Sequence, residues 1–266
     1  MLAAALWGGM YVVSRLTFES IPPITLGLLR VLIGGAALGL VLRRFPLLRD
    51  RRMAGLGALV AATMMLQFLG TDLAGAAAGS LLTLLTPVFV AVLAPLFLRE
   101  RTRWRQWTGI AIALLGAIVV SGGGTGQSVL GDLLLVASSL SWGAFTVLGA
   151  PLVRKLGALE IATGASLWAL PMMIPGTILE LAGGAHLALT GAGVLGALYL
   201  GVFATAIAWW AWYRGVERLP AVSSAVFFLA QPVVGIALSI PIFHFPLTVG
   251  FAGGSLLVVI GTLLVT

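Results

Sequence analysis

The second half of this chain repeats the first while exchanging the charges of its connecting segments, and few folds tolerate that. Leu81-Leu82-Thr83-Leu84-Leu85-Thr86-Pro87-Val88 aligns with Val226-Phe227-Phe228-Leu229-Ala230-Gln231-Pro232-Val233 at an offset of 145. The same offset pairs Gly70 with Gly215, Asp72 with Glu217, Gly109 with Gly254 and Gly116 with Gly261. Nearer the start, Trp7-Gly8 matches Trp142-Gly143 at an offset of 135, so the copies drifted apart by one insertion. Where the first copy has Arg99-Glu100-Arg101-Thr102-Arg103, the second has His244-Phe245-Pro246-Leu247-Thr248. An apolar body kept while its basic loops are replaced is what two halves crossing a membrane in opposite senses require.

Composition points to the same solvent. Hydrophobic residues make up 60% of the chain and charged residues 9%, with a mean hydropathy of +1.13. A soluble domain carries roughly 25% charged residues. The 35 Gly and 12 Pro suit transmembrane helices, where both are common. With no Cys there is no disulfide, thiolate nucleophile or Cys-based metal site, and with no Asn there is no glycosylation sequon. A single Lys against 14 Arg fits a GC-rich prokaryotic gene. The net charge of +7 does not point to nucleic acid, because the basic residues sit in short loops between apolar runs.

A span needs about 20 mostly apolar residues. Ten stretches qualify: 1–19, 24–42, 53–71, 74–97, 105–121, 130–153, 158–181, 190–213, 221–243 and 248–266. The expected fold is therefore an all-α integral membrane protein of ten transmembrane helices, arranged as two inverted five-helix repeats over 1–121 and 130–266. No cleaved signal peptide is expected, since no basic region precedes the first apolar run. Arg43, Arg44, Arg49, Arg51, Arg52, Arg99, Arg101, Arg103, Arg105, Arg154, Lys155, Arg214 and Arg218 all fall on one side if the N-terminus is cytoplasmic, 13 of the 15 basic residues. The positive-inside rule then puts both termini in the cytoplasm. Five spans per copy is an odd number, so the second copy must be upside down, and inverted repeats of this kind are a transporter architecture.

Two tandem five-helix units, each with Trp-Gly in its first span and Pro in its fourth, resemble the EamA-type drug/metabolite transporter superfamily. The run Leu98-Arg99-Glu100-Arg101-Thr102, followed by Gly109 and Gly116, is similar to the signature after that family's fourth helix. In the second copy Phe245 stands where Glu100 stands, so the signature is degenerate there. The resemblance covers nearly the whole chain. It implies a secondary transporter of the bacterial inner membrane that exports small metabolites. Amino acids, including aromatic and apolar ones, come first, and the likeness is greatest to the branch that exports aromatic amino acids. Its partners would be a small-molecule substrate and the lipid bilayer, with no nucleic acid and no cofactor. Both monomer and homodimer stay open.

In inverted-repeat carriers the site lies near the midplane, where paired helices are interrupted. Pro87 and Pro232 stand half-way along spans four and nine, and each ring frees the carbonyl four residues back, at Thr83 and Phe228. Thr86 and Gln231 lie beside them at matching depth. A free carbonyl with a Thr or Gln side chain suits an amino or hydroxyl group. Equally, the prolines bend the helices and Thr86 and Gln231 satisfy the exposed backbone. Trp7, Tyr11, Trp142, Phe145, Trp168, Trp209, Phe227 and Phe228 lie deep and suit a pocket for an apolar or aromatic side chain, or helix packing. As repeat mates, Trp7 and Trp142 should face each other across a pseudo-two-fold axis. Trp104, Trp107, Trp212 and Tyr213 are expected in the interfacial belt.

Arg30 lies inside span two, placed to attract a substrate carboxylate, to gate the outer vestibule, or to pair with Glu19 or Asp72. Arg15 and Glu19, four apart, read as a surface pair. No carboxylate or His falls at mid-span, so facilitation or exchange is favoured over tight proton coupling. Gly35-x-x-x-Gly39, Gly75-x-x-x-Gly79 and Gly250-x-x-x-Gly254 let backbones approach, within one chain or at a dimer face. Gly191-x-Gly193-x-x-Gly196 opens an apolar span with no strand before it and is a chance match to the dinucleotide fingerprint. A carrier of sugar nucleotides or drugs is the second reading, although polyanions call for more deep cations than Arg30. An intramembrane enzyme is the third, and it lacks the mid-span acids and bases such chemistry needs. No metal site is expected.

Overall fold

A computed structural model of the protein describes residues 2–43, 51–98, 103–122, 128–209, 211 and 230–265. These residues form helices and no strand: α1 Leu2–Thr17, α2 Pro23–Leu42, α3 Arg51–Leu82, a 3-10 turn Thr83–Leu85, α4 Thr86–Leu98 and α5 Trp104–Gly122. Then come α6 Val129–Leu156, α7 Ala158–Ala182, α8 Gly191–Leu198 running into a π-helix Tyr199–Ile207, α9 Ala230–Phe243 and α10 Val249–Val265. Phe227, Phe228, the Arg99–Thr102 signature, Trp212, Tyr213, Arg214, Gly215, Glu217 and Arg218 fall outside the described residues.

Among the described residues five stretches are long and apolar enough to cross a membrane: Pro23–Leu42, Arg52–Leu98, Trp104–Ser121, Val129–Leu156 and Leu159–Ala182. Gly191–Ile207, Ala230–Phe243 and Val249–Val265 are apolar but shorter. Arg52–Leu98 is not straight. Gly75 has φ 83° and ψ 168°, a conformation open to glycine and closed to most residues. Beyond it the chain folds back: a Cβ on Gly79 would lie 3.0 Å from Thr71 Oγ1. Eight residues of straight helix would separate those positions by about 12 Å. The boundary expected between spans three and four is thus a single glycine inside α3.

Packing is set by glycines that let backbones touch. A Cβ on Gly109 would come 2.6 Å from Gly261 O, and one on Gly116 would come 2.7 Å from Gly254 O, so α5 and α10 run antiparallel along a glycine seam. Gly109 and Gly254 are repeat mates, as are Gly116 and Gly261. The first contact therefore maps onto the second when the copies are exchanged. A second reciprocal pair joins other helices. A Cβ on Gly8 in α1 would meet Val234 Cβ of α9 at 2.7 Å, and one on Gly143 in α6 would meet Phe89 Cβ of α4 at 3.0 Å. The repeat alignment pairs Gly8 with Gly143 and Val234 with Phe89.

Gly35, against Ser166, and Gly79, against Tyr11, also use their bare faces within the chain. Two apolar clusters result. One gathers α1, α2, α3, α6, α7 and the α8 segment, and the other gathers the 74–88 stretch with α5 and α10.

The expected Arg15–Glu19 pair does not form. α1 ends at Thr17, which turns Glu19 into an exposed bend off the helix face, and Arg15 Nη1 instead meets Asp72 Oδ1 at 2.8 Å. Trp104 and Trp107, at the start of α5, are well exposed, as belt residues would be. The N-terminus of α2 has no cap of its own. Glu180 of α7 supplies one, accepting from Ile24 N, Thr25 N and Thr25 Oγ1, each at 2.8 Å.

Overpacking a tight helix contact costs about 1–3 kcal/mol. Gly116→Leu should therefore lower the melting temperature in detergent by several degrees. Gly253→Leu, one residue from the seam where a Cβ meets nothing within 4 Å, should leave it within about a degree, since surface changes rarely exceed about 0.5 kcal/mol.

Candidate functional site

Every backbone carbonyl inside a bilayer needs a partner within the protein, and the break at the start of α4 shows how this chain provides them. Ser80 O accepts from Gln231 Nε2 at 3.1 Å, and Ser139 Oγ shares its proton between Leu82 O and Leu135 O, each at 3.1 Å. Gly79 O accepts from Thr83 Oγ1 at 2.7 Å. The carbonyl that Pro87 was expected to leave open, that of Thr83, accepts from Thr86 Oγ1 at 2.9 Å and from the Thr86 N–H. A free carbonyl for a ligand is therefore not what the proline creates. Thr86 closes it, and the backbone turns through a 3-10 segment instead.

From Thr83 a chain of hydrogen bonds crosses the protein. Thr83 gives its one proton to Gly79 O, so Tyr11 OH must donate to Thr83 Oγ1, at 2.6 Å. Tyr11 in turn accepts from Gln67 Nε2 at 2.9 Å, and Gln67 Oε1 accepts from Arg30 Nη1 at 3.2 Å. Gln231 Nε2 donates into the same Thr83 hydroxyl at 2.8 Å. α1, α2, α3, the α4 break and α9 are tied together by this relay. Arg30, 3% exposed, also donates from Nε to Thr205 Oγ1 at 2.9 Å and from Nη2 to Ala204 O at 3.5 Å, and it stands 5.7 Å above the Phe68 ring.

Thr205 and Ala204 belong to the π-helix, a deformation frequent at functional sites. Thr205 Oγ1 donates five residues back to Leu200 O at 3.0 Å, and Ala204 O also accepts from Trp7 Nε1 at 2.9 Å. Arg30 pairs with neither Glu19 nor Asp72. All its partners among the described residues are neutral, and two of its five N–H groups find no acceptor there.

The relay lines a cavity of about 50 Å³. Of the residues expected at a site, Trp7, Tyr11, Arg30, Thr83, Thr86, Trp142 and Gln231 face it together. Phe145 does not line it but stacks on Trp142, with ring centroids 5.0 Å apart. Pro87 and Pro232 lie in α4 and α9 and do not line it. Trp168 packs on Gly57 elsewhere, its indole N–H buried without an acceptor among the described residues. Trp7 and Trp142 share the cavity, while Trp142 is held between Phe145 and Trp209, the latter at 5.3 Å.

Met10, Thr63, Met64, Gln67, Ser138, Ser139 and Trp209 complete the lining, and none carries a carboxylate. Gln67, which links Arg30 to Tyr11 in the relay, carries no formal charge and so does not stand out in the sequence. A neutral amide at mid-span obeys the same desolvation logic. No group of three or more His, Cys, Asp or Glu able to hold a metal occurs among the described residues.

The EamA-like transporter family matches residues 1–122 and 129–266. The chain belongs to that family. It is therefore an integral membrane protein of a transporter family. A protein of Archaeoglobus fulgidus named as a transporter is 26% identical over 271 residues, covering 99% of this chain and 96% of its own length. One from Streptantibioticus cattleyicolor, named a probable terminal-alkyne amino-acid exporter, is 29% identical over 96% of this chain and 88% of its own. A solved crystal structure aligns with all of this EamA-family chain and 94% of its own, with a TM-score of 0.69 at 22% identity, a likeness of fold.

Removing the Tyr11 hydroxyl breaks the relay at its centre. Tyr11→Phe should cost about 1–3 kcal/mol, the penalty for leaving the Gln67 amide unpaired. In a double-mutant cycle with Gln67→Leu, the combined loss should fall short of the sum by at least about 0.5 kcal/mol. Additive losses in detergent unfolding would show that the two side chains do not act as one unit.

Proposed function

We propose that this chain is a secondary transporter that exports amino acids, including aromatic and apolar ones, by alternating access around the cavity between α1, α2, α3, the α4 break, α6 and α9. The observation that carries the reading is Arg30. Among the described residues it is a buried cation with only neutral partners and two uncommitted N–H groups, lining a cavity to which they contribute no carboxylate. A substrate carboxylate is the complement such a group lacks. In the same lining as polar Arg30 and Gln67, the indoles of Trp7, Trp142 and Trp209 offer apolar faces for a side chain and π faces for an ammonium. The exporter name of the Streptantibioticus relative is in keeping with this substrate class.

The inverted arrangement of repeats over 1–121 and 130–266, ten spans in all with both termini cytoplasmic in a bacterial inner membrane, is part of the proposal. The reciprocal Gly109/Gly261 and Gly116/Gly254 contacts support it. So do the basic residues that gather on one side when the spans alternate.

At about 50 Å³ the cavity has room for no more than a few waters. Ordinary ligand pockets run to roughly 300–1,000 Å³, so a substrate enters only when the helices part. Pro87 follows the 3-10 turn Thr83–Leu85 at the start of α4, where such parting needs the least backbone rearrangement. A sugar nucleotide would bring two or more negative charges to a site with one cation, which favours the amino-acid reading.

Uptake of labelled amino acids into proteoliposomes, with and without an imposed pH gradient, tests the proposal. Saturable, competable flux without the gradient is expected. Arg30→Ala should reduce flux of carboxylate-bearing substrates by at least tenfold and spare their uncharged amides. An equal loss for both would make Arg30 structural. Trp142→Leu should shift preference from aromatic toward smaller side chains, and an unchanged preference would assign Trp142 to packing. If folded protein moves no amino acid at all, the substrate class is wrong.

A further inference from the structure

A second cavity, sharing no lining residue with the first, lies where α3 begins and α6 ends. Its volume is about 600 Å³, and it is bounded by Arg52, Gly55, Leu56 and Leu59 of α3 and by Leu148, Pro151, Leu152 and Lys155 of α6. The two helices run antiparallel. A Cβ on Gly70 would meet Leu135 Cγ at 2.8 Å, one on Gly131 would meet Ala74 N at 2.7 Å, and Leu56 lies against Gly149 further down. The start of α3 and the end of α6 therefore share one edge of the molecule, and both cations sit at that edge. The remaining lining is apolar and continues for seven residues of α3, about 10 Å of helix rise. Arg52 and Lys155 are exposed, Leu148 is 40% exposed, and a Cβ on Gly55 would meet nothing within 4 Å.

We infer that this groove binds one acidic phospholipid, its phosphate between Arg52 and Lys155 and an acyl chain along Leu56, Leu59, Leu148 and Leu152. The charge pattern carries the assignment. Among the described residues cations line one end only and the rest of the lining is apolar, which is the profile of an amphiphile standing at a membrane surface. A transported solute would meet polar groups along the path, as the central cavity provides. Basic pockets between transmembrane helices at the cytoplasmic edge are suited to anionic headgroups, and the positive-inside pattern puts this edge there. Pro151 has no backbone N–H to donate toward Val147 O, and its ring forms part of the wall. The site is independent of which solute the protein carries.

Native mass spectrometry of delipidated protein in detergent tests the inference, with phosphatidylglycerol, phosphatidylcholine and glycerol phosphate as separate probes. One phosphatidylglycerol should be retained at least fivefold more strongly than phosphatidylcholine, and glycerol phosphate should not be retained. Arg52→Ala with Lys155→Ala should bring phosphatidylglycerol down to the level of phosphatidylcholine. Gly55→Leu, which fills open space without touching a neighbour, should reduce retention of both lipids while the melting temperature in detergent holds. Equal retention of the two lipids by the unaltered protein would overturn the assignment. So would undiminished phosphatidylglycerol binding in the double variant, or in folded Gly55→Leu. Retention of glycerol phosphate as strong as that of the lipid would make this a simple phosphate site and overturn it also.

Discussion

Inside a bilayer no water is at hand to rescue an unpaired carbonyl, and that constraint organises this protein. Besides the break at Gly75, the helical ladder changes at the 3-10 turn before α4, where Thr83 lines the central cavity, and at the π-helix after α8, which holds Arg30 at that cavity. At each, side chains from other helices arrive to satisfy the backbone: Gln231 at Ser80, Ser139 at Leu82, Trp7 and Arg30 at Ala204. The polar side chains of the core thus have a double duty. They complete the backbone of a neighbouring helix, and in doing so they are held in place around a small cavity.

The same constraint limits what holds the helices together. Lipid tails are as apolar as leucine, so burial gives little reason for one helix to prefer another. Close backbone approach supplies the preference, through glycines at Gly8, Gly109, Gly116, Gly143, Gly254 and Gly261. These are repeat mates of one another, and their contacts exchange when the copies are exchanged.

The repeat made much of this legible in advance. Thr83, Thr86 and Gln231 were found by aligning the copies, and Trp7 and Trp142 by their shared Trp-Gly. Arg30 stood out as a charge among apolar residues. What stayed hidden follows from chemistry that a linear chain does not display. Gln67 and Thr205 carry no charge, and their importance comes from who reaches them across the bundle. The π-helix has no proline or unusual residue to announce it. Glu180 read as an end-of-helix acid, and only the fold shows it closing the start of α2, more than 150 residues away. The acid nearest Arg15 in sequence is Glu19, whereas the end of α1 at Thr17 sends it to Asp72.

The relay from Arg30 through Gln67 and Tyr11 to Thr83 has one orientation throughout, each member donating to the next and the last donating to Gly79 O. A proton wire works by handing a proton in at one end and out at the other, after which every link must turn round. Gln67 interrupts such a wire, since a carboxamide neither accepts a proton readily nor gives one up at neutral pH. A line of polar groups crossing the middle of the protein is in this way an insulator. Polar groups line the cavity without forming a continuous path along which a proton could hop.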